Sequence, residues 1–283
     1  MRYRIEFLLF RLVAALATAL PLETASRVSG ALWRWIAPLL KRHRRALHHL
    51  ALAYPDMSLA ERQRIAREMW ETLGRVFAES FHLTELLHSD RIVIENEDEV
   101  RTMFAETHGF VACGAHQGNW EIAVVVLARL GYSTAGIYQK IKNPYVDEMA
   151  KRLREPLYPA GLYPKHPSTA LTMLRHVKNG GALSLMADLR ETRGVKVPFF
   201  GRPAPSTPFP ALIAVTQNKA LFAAQVVREP GVRFRIAVRP VDVQRTGDRD
   251  ADIAATTANM QAMFEKSIRE RPEQWMWGHK RWG

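Results

Sequence analysis

The chain has 283 residues, 47% of them hydrophobic, with 40 Lys and Arg against 28 Asp and Glu for a formal net charge of +12. That length and apolar fraction are enough to bury a full core, and they exclude an intrinsically disordered protein. The charge favours negatively charged partners, and the single cysteine, Cys113, excludes an intramolecular disulfide, so the fold does not depend on an oxidising compartment.

The chain opens on "MRYRIEFLLFRLVAALATALPL", a basic start followed by an apolar stretch. Glu6 and Arg11 interrupt that stretch and no clean cleavage site follows, so it does not read as a signal peptide. Only eleven residues, 12–22, are uncharged, well short of the ~20 needed for an unambiguous spanning helix, and basic clusters flank them on both sides. The segment reads as a helix lying in one leaflet with Arg2, Arg4 and Arg11 snorkelling; the competing reading is an ordinary core helix.

Helical spacing continues to residue 88, with Trp33, Ile36, Leu39 and Leu40 on one period, and Ser58 three before Glu61 forms a capping box. Residues 1–88 are therefore expected to be a helical, membrane-associating segment packed on a core of residues 89–283, the whole making one structural domain. At "RIVIENED" the period changes to that of a strand. "GFVACGA", "STAGIY", "ALSLMAD" and "ALFAAQVV" follow as strand candidates, separated by helices near 120–130, 144–155 and 167–179. A hairpin turning at Pro230–Gly231 and a closing helix from 251 complete an α/β order: a central mixed sheet flanked by helices. Cys113, inside an apolar strand, reads as packing.

The informative stretch is "GAHQGNWEIA", residues 114–123. On one regular helix, residues five apart such as His116 and Glu121 point roughly 140° away from each other, so the pair works only if His116 sits in the turn after the strand and Glu121 in the first turn of the next helix, capped by Asn119. A loop histidine folded over that turn is expected to meet the Glu121 carboxylate. The carboxylate would fix one ring nitrogen and leave the other to accept a proton. Gly114 and Gly118 are expected to let backbone and substrate approach closely. No second His, Cys or carboxylate stands at ligand spacing near His116, so no metal site is expected. Nucleic acid is not an expected partner either, since no recognition motif accompanies the basic charge.

"HQGNWE" resembles the histidine, four residues, acid motif of the glycerolipid acyltransferase superfamily, and its Gly118–Asn119–Trp120–Glu121 form resembles the late acyltransferases of lipid A biosynthesis, the lauroyl and myristoyl type. "LALAYPDMS", "YQKIKNPYVD", "MADLRETRGVKVPFFGRPAPSTP" and "RERPEQWMWGHKRW" are similar to that family's blocks in the same order over essentially the full length. The resemblance implies transfer of a fatty acyl chain from acyl carrier protein or coenzyme A to a hydroxyl of a membrane glycolipid. It implies no cofactor, and a place at the cytoplasmic face of a bacterial inner membrane. His116 is then the general base, Glu121 orients it, and the glycine-rich turn amides are oxyanion donors. Two other readings compete: an acyltransferase of the same superfamily acting on glycerol phosphate or a lysophospholipid, and a non-catalytic basic scaffold at a membrane.

The chain departs from the family pattern at Gln139, where Tyr138 is usually followed by arginine, and at Leu189, where Asp188 is usually followed by glutamine. Lys140 or Lys142 is expected to replace the missing guanidinium as a point charge. Arg190 is expected to meet a phosphate or to pair with Asp188. Around "VPFFGRPAPSTP", Phe199 and Phe200 read as a core edge, or Arg202 as a phosphate contact in a head-group pocket. Trp275, Trp277 and Trp282, with His279, Lys280 and Arg281, read either as an interfacial belt or as packing that closes the domain.

Overall fold

The computed structural model describes residues 1–282. Its N-terminal part is helical: α1 (Arg2–Ala19), α2 (Leu22–Ile36), α3 (Lys41–Ala53), α4 (Leu59–Glu79) and α5 (Leu83–Leu87). The Ser58 hydroxyl accepts the Glu61 backbone N–H at 3.2 Å and caps α4, while the Glu61 carboxylate takes Arg64 in place of the Ser58 N–H that a full capping box would use. Helices α2 and α4 approach closely because Gly74 lacks a side chain: a Cβ there would stand 2.7 Å from the Trp33 Cβ.

After α5 come β1 (Ile92–Ile94), α6 (Glu97–Ala105) and β2 (Phe110–Gly114), then the short helix α7 (Val125–Arg129) and β3 (Thr134–Tyr138). Next are α8 (Pro144–Arg154), β4 (Leu162–Pro164), α9 (Pro167–Lys178) and β5 (Ala182–Met186). The chain continues through a ribbon of β6 (Arg190–Phe199) and β7 (Arg202–Ser206), then α10 (Phe209–Thr216), β8 (Ala220–Glu229), β9 (Arg233–Pro240) and α11 (Arg249–Glu270). Seven strands form one sheet in the order β1-β9-β8-β2-β5-β3-β4. Strands β8, β2, β5, β3 and β4 run parallel, while β9 turns back on β8 as an antiparallel hairpin, so the sheet is mixed. Strand β2 is buried along its whole length, as a central strand covered on both faces must be. Its alternate residues feed two cores: Val111 and Cys113 pack with α3, α4 and α11, and Phe110 and Ala112 with α6 and α7.

Two local expectations change. The helix expected over 120–130 is a 3₁₀ turn, Trp120–Ile122, followed by the short α7. The run Val124–Val125–Val126 is β-branched, which disfavours continuous helix. "VPFFGRPAPSTP" is the β6–β7 hairpin, turned by Phe200 and Gly201 at φ 52° and 67°, the positive values a tight two-residue turn demands.

No helix among the described residues is long and apolar enough to cross a membrane. Helix α1 packs sideways. Phe7 stacks on Tyr145 of α8, Phe10 meets Phe77 and Phe81, and Asn143 donates to the Tyr3 carbonyl at 2.8 Å. The stripe Ile5, Leu8, Leu9, Leu12, Val13 and Leu16, at helical spacing, is left exposed, and Trp35 (77% exposed) and Leu39 (85%) extend the apolar surface.

Candidate active site

Strands β2, β5 and β3 are parallel, so their carboxyl ends lie together, where ligands bind in open α/β sheets. His116 leaves the end of β2 and Asp188 the end of β5. The His116 Nδ1 lies 2.7 Å from Asp188 Oδ1, and the His116 backbone N–H donates to Asp188 Oδ2 at 2.9 Å. Trp275 Nε1 donates to the same Oδ2 at 2.7 Å. Asp188 is fully buried. Burial pushes its carboxyl up, but His116 and the three donated bonds override this and hold it below the usual carboxylate range. An ionised Asp188 accepts, so Nδ1 carries the hydrogen and Nε2 is left with a free lone pair.

Glu121 does not hold His116. It takes a bidentate ion pair from Arg154, Nε to Oε2 and Nη2 to Oε1, both at 2.6 Å, with Trp120 Nε1 donating at 3.2 Å. Asn119 caps the 3₁₀ turn through Oδ1 to the Glu121 N–H, as expected, and that single turn aims Glu121 at the end of α8, where Arg154 stands. Burial raises the Glu121 carboxyl and the Arg154 guanidinium more than reverses it, leaving the group ionised below its ordinary range. His116 adds a smaller push in the same direction, so Glu121 and His116 interact through space, without a bond.

The loop between them is built from backbone. Gly118 has φ +59°, and a Cβ there would stand 2.4 Å from the Val226 carbonyl, so this glycine admits a neighbouring strand and not a substrate. The C-terminal tail lies along the loop: Gly118 N–H donates to Gln274 O at 3.0 Å, and Met276 N–H to His116 O at 3.2 Å. The turn amides expected as oxyanion donors are therefore occupied, since His116 N–H goes to Asp188, Gln117 N–H to Ala115 O and Gly118 N–H to Gln274 O. Beneath the loop, Asn119 Nδ2 donates to Glu79 Oε2 at 2.8 Å. Glu79 is fully buried and also takes Ser26 Oγ at 2.6 Å and both Arg228 amino groups at 2.8 and 2.6 Å.

The remaining expected residues separate. Tyr138 donates its hydroxyl to Asp147 at 3.1 Å, and Lys140 stands exposed just beyond β3. Arg190 does not pair with Asp188, whose acceptors are taken up by His116 and Trp275. Arg202 donates Nε to the Leu52 carbonyl at 3.0 Å, tying the ribbon to α3. Phe199, Phe200, Trp275, Trp277 and Trp282 are all buried, which makes the terminal tryptophans packing and not an interfacial belt. Burial drives the Cys113 thiol far up, so it stays protonated.

Beside the pair lies a cavity of about 250 Å³. Trp33, Trp70, Leu73, Val76 and Phe77 form its apolar wall, and Arg42, Glu121, Arg154 and His279 its polar end. Trp120, whose ring is 5.3 Å from that of His116, and Met276, bonded to the His116 carbonyl, also line it. An imidazole bonded to a buried carboxylate thus stands next to Trp120 and Met276, which line an apolar cavity that also holds the Arg154 cation. Residues 1–283 match the family model described as bacterial lipid A biosynthesis acyltransferase. A comparison with curated proteins gives no match.

Proposed function

From the premise that the chain belongs to the bacterial lipid A biosynthesis acyltransferase family, we propose that His116 is the general base of an acyl transfer from a thioester, on acyl carrier protein or coenzyme A, to a hydroxyl of a lipid A-type glycolipid. The observation that carries this reading is the 2.7 Å bond between His116 Nδ1 and buried Asp188, which leaves Nε2 to accept a proton, with Trp120 and Met276 of the cavity lining next to His116. The acceptor hydroxyl loses its proton to Nε2 as its oxygen bonds to the thioester carbon, because an alcohol is too weak an acid to ionise beforehand. The tetrahedral intermediate then expels the thiolate as the C–S bond breaks, and the imidazolium returns the proton to sulfur. Asp188 fixes the tautomer and stabilises the imidazolium, the role the sequence assigns to Glu121. Glu121 holds Arg154, whose charge faces the cavity as the counterpart of the developing oxyanion.

The apolar wall from α2 and α4 suits the acyl chain, and exposed Arg42 and Lys140 suit phosphates of the donor or the head group. The exposed stripe of α1, with Trp35 and Leu39, suits burial in one leaflet of the inner membrane at its cytoplasmic face, where an acidic carrier protein meets a basic surface. The test is purified His116→Ala with a matched acyl thioester and a 3-hydroxyacyl glycolipid, products read by mass spectrometry. Turnover should be lost with the fold intact, and near-normal turnover would rule out this mechanism.

A further inference from the structure

Arg281 is fully buried yet has no carboxylate bonded to it among the described residues. Its Nη1 donates to Pro205 O at 2.9 Å, and its Nη2 to Ser206 Oγ at 2.8 Å and Gln261 Oε1 at 3.0 Å. The guanidinium stacks 4.4 Å from the Phe199 ring centroid, and its Nε has no partner among the described residues. A buried ion without an opposite charge bonded to it is costly, and an apolar side chain of similar volume would fill the space more cheaply. Packing alone therefore leaves the charge unexplained.

The groups that Arg281 grips lead to the site. Gln261, accepting from Arg281, donates its Nε2 to the Ala187 carbonyl at 2.8 Å. Ala187, in turn, donates its N–H to Gly114 O at 3.0 Å. Ala187 is thus held through its N–H by the end of β2, which delivers His116, and through its carbonyl, in the peptide to Asp188, by Gln261. The carboxylate that acts electrostatically on Arg281 is Asp188. Glu121 and His279, which also act on the His116–Asp188 pair, stand with Arg154 and Arg42 in the cavity lining. Arg281 is the cation on the buried side.

We propose that Arg281 is a positioning residue for the reaction: through Gln261 it clamps the Ala187–Asp188 peptide against the end of β2, and so keeps His116 in the tautomer with a free Nε2. The inference rests on the proposed role of His116 as base, and it adds a requirement that the motif does not contain. Full-length Arg281→Met, Arg281→Lys and Gln261→Met, with ¹⁵N-labelled histidine, separate the two ideas. Arg281→Met should lower kcat by about 100-fold, the scale of a small misplacement at a reacting group, with KM changed less than about twofold. Its His116 signals should move from the Nδ1–H tautomer to a mixture with Nε2–H. Arg281→Lys, which keeps a charge and donors, should recover at least about tenfold of that loss and the original tautomer. Gln261→Met cuts the clamp while leaving Arg281 bonded to Pro205 and Ser206, and should show the same signature if Arg281→Met fails to fold. A folded Arg281→Met or Gln261→Met with an unchanged tautomer overturns the inference whatever its activity. A shifted tautomer with unchanged kcat upholds the clamp and instead removes His116 from the chemistry.

Discussion

Asp188→Asn changes one atom and tests the reading of the site directly. Asp188 Oδ2 takes two N–H donors, from the His116 backbone and Trp275, whereas Oδ1 takes one, from His116 Nδ1. An asparagine must put its NH₂ at one of those places. Setting it against two donors loses two bonds, so the amide oxygen takes the Oδ2 position and the NH₂ faces Nδ1. Nδ1 must then accept, the ring becomes the Nε2–H tautomer, and Nε2 no longer has a lone pair for the hydroxyl. In a serine protease the same change of tautomer costs about 10⁴ in kcat, so a loss of about 10³–10⁴, roughly 4–5.5 kcal/mol of barrier, is expected here with KM nearly unchanged. Steady-state kinetics on a thioester donor, with ¹⁵N spectra of His116, provide the assay. Retention of more than about a tenth of kcat together with an Nε2–H spectrum would refute the reasoning, because the tautomer would then be irrelevant to turnover.

Glu79→Ala should cost about 3–5 kcal/mol of stability, lowering the melting temperature by on the order of 10 °C in a thermal scan, because it strands the buried Arg228 cation and frees Asn119. His49, buried against the Trp277 carbonyl, has its pKa pushed down from 6.5 to about 4 by burial. Its neutral form is favoured in the folded state, so stability should fall as pH drops from about 6.5 towards 4, and His49→Gln should flatten melting temperature against pH in that window. Replacing Leu8, Leu12 and Leu16 together by serine should weaken partitioning into anionic vesicles by about 10²-fold or more, allowing about 1 kcal/mol for each half-buried leucine. Added salt alone should release little of the unaltered protein; equal co-sedimentation of the two proteins would place this stripe elsewhere. Glu121→Gln should lower kcat by about 10–100-fold while leaving the His116 tautomer untouched, since its partner is Arg154.

Where a signal was local, the sequence carried it. The strand before His116, the Asn119 and Ser58 caps and the Pro230–Gly231 hairpin each rest on neighbouring residues, and the structure has all four, although the Glu61 half of the expected Ser58 box goes to Arg64 instead. The partner of His116 was not legible, because Asp188 is 72 residues away and arrives through the pairing of β2 with β5. Sequence spacing offered Glu121, which is close in the chain but turned towards α8. Asp188 was visible as a polar residue at a strand end, yet only sheet order shows that β5 lies beside β2. The burial of Arg281 and Trp275 was hidden for the same reason: a tail of Trp, His, Lys and Arg has the composition of a surface belt, and its packing under β6 and β7 is a long-range fact.

The two carboxylates near His116 differ in what else they must do, and under the proposed mechanism that difference separates their roles. Glu121 is already neutralised by a fork of two 2.6 Å bonds, so turning it to His116 would leave Arg154 unpaired inside the cavity wall. Asp188 has no cation bonded to it except the one His116 becomes. Its interaction therefore strengthens at the moment a proton reaches Nε2, which is the condition for lowering a barrier and not merely for binding a substrate. Because Asp188 is buried and held by three N–H groups, it cannot reorient as charge develops, so little reorganisation is needed during the reaction. Glu121 and Arg154 carry no net charge as a pair, and can present a guanidinium to an oxyanion without raising the potential at His116 as a lone arginine would. On the proposed mechanism the motif supplies the base and the holder of the cation, while the acid that makes the base effective comes from the far end of β5.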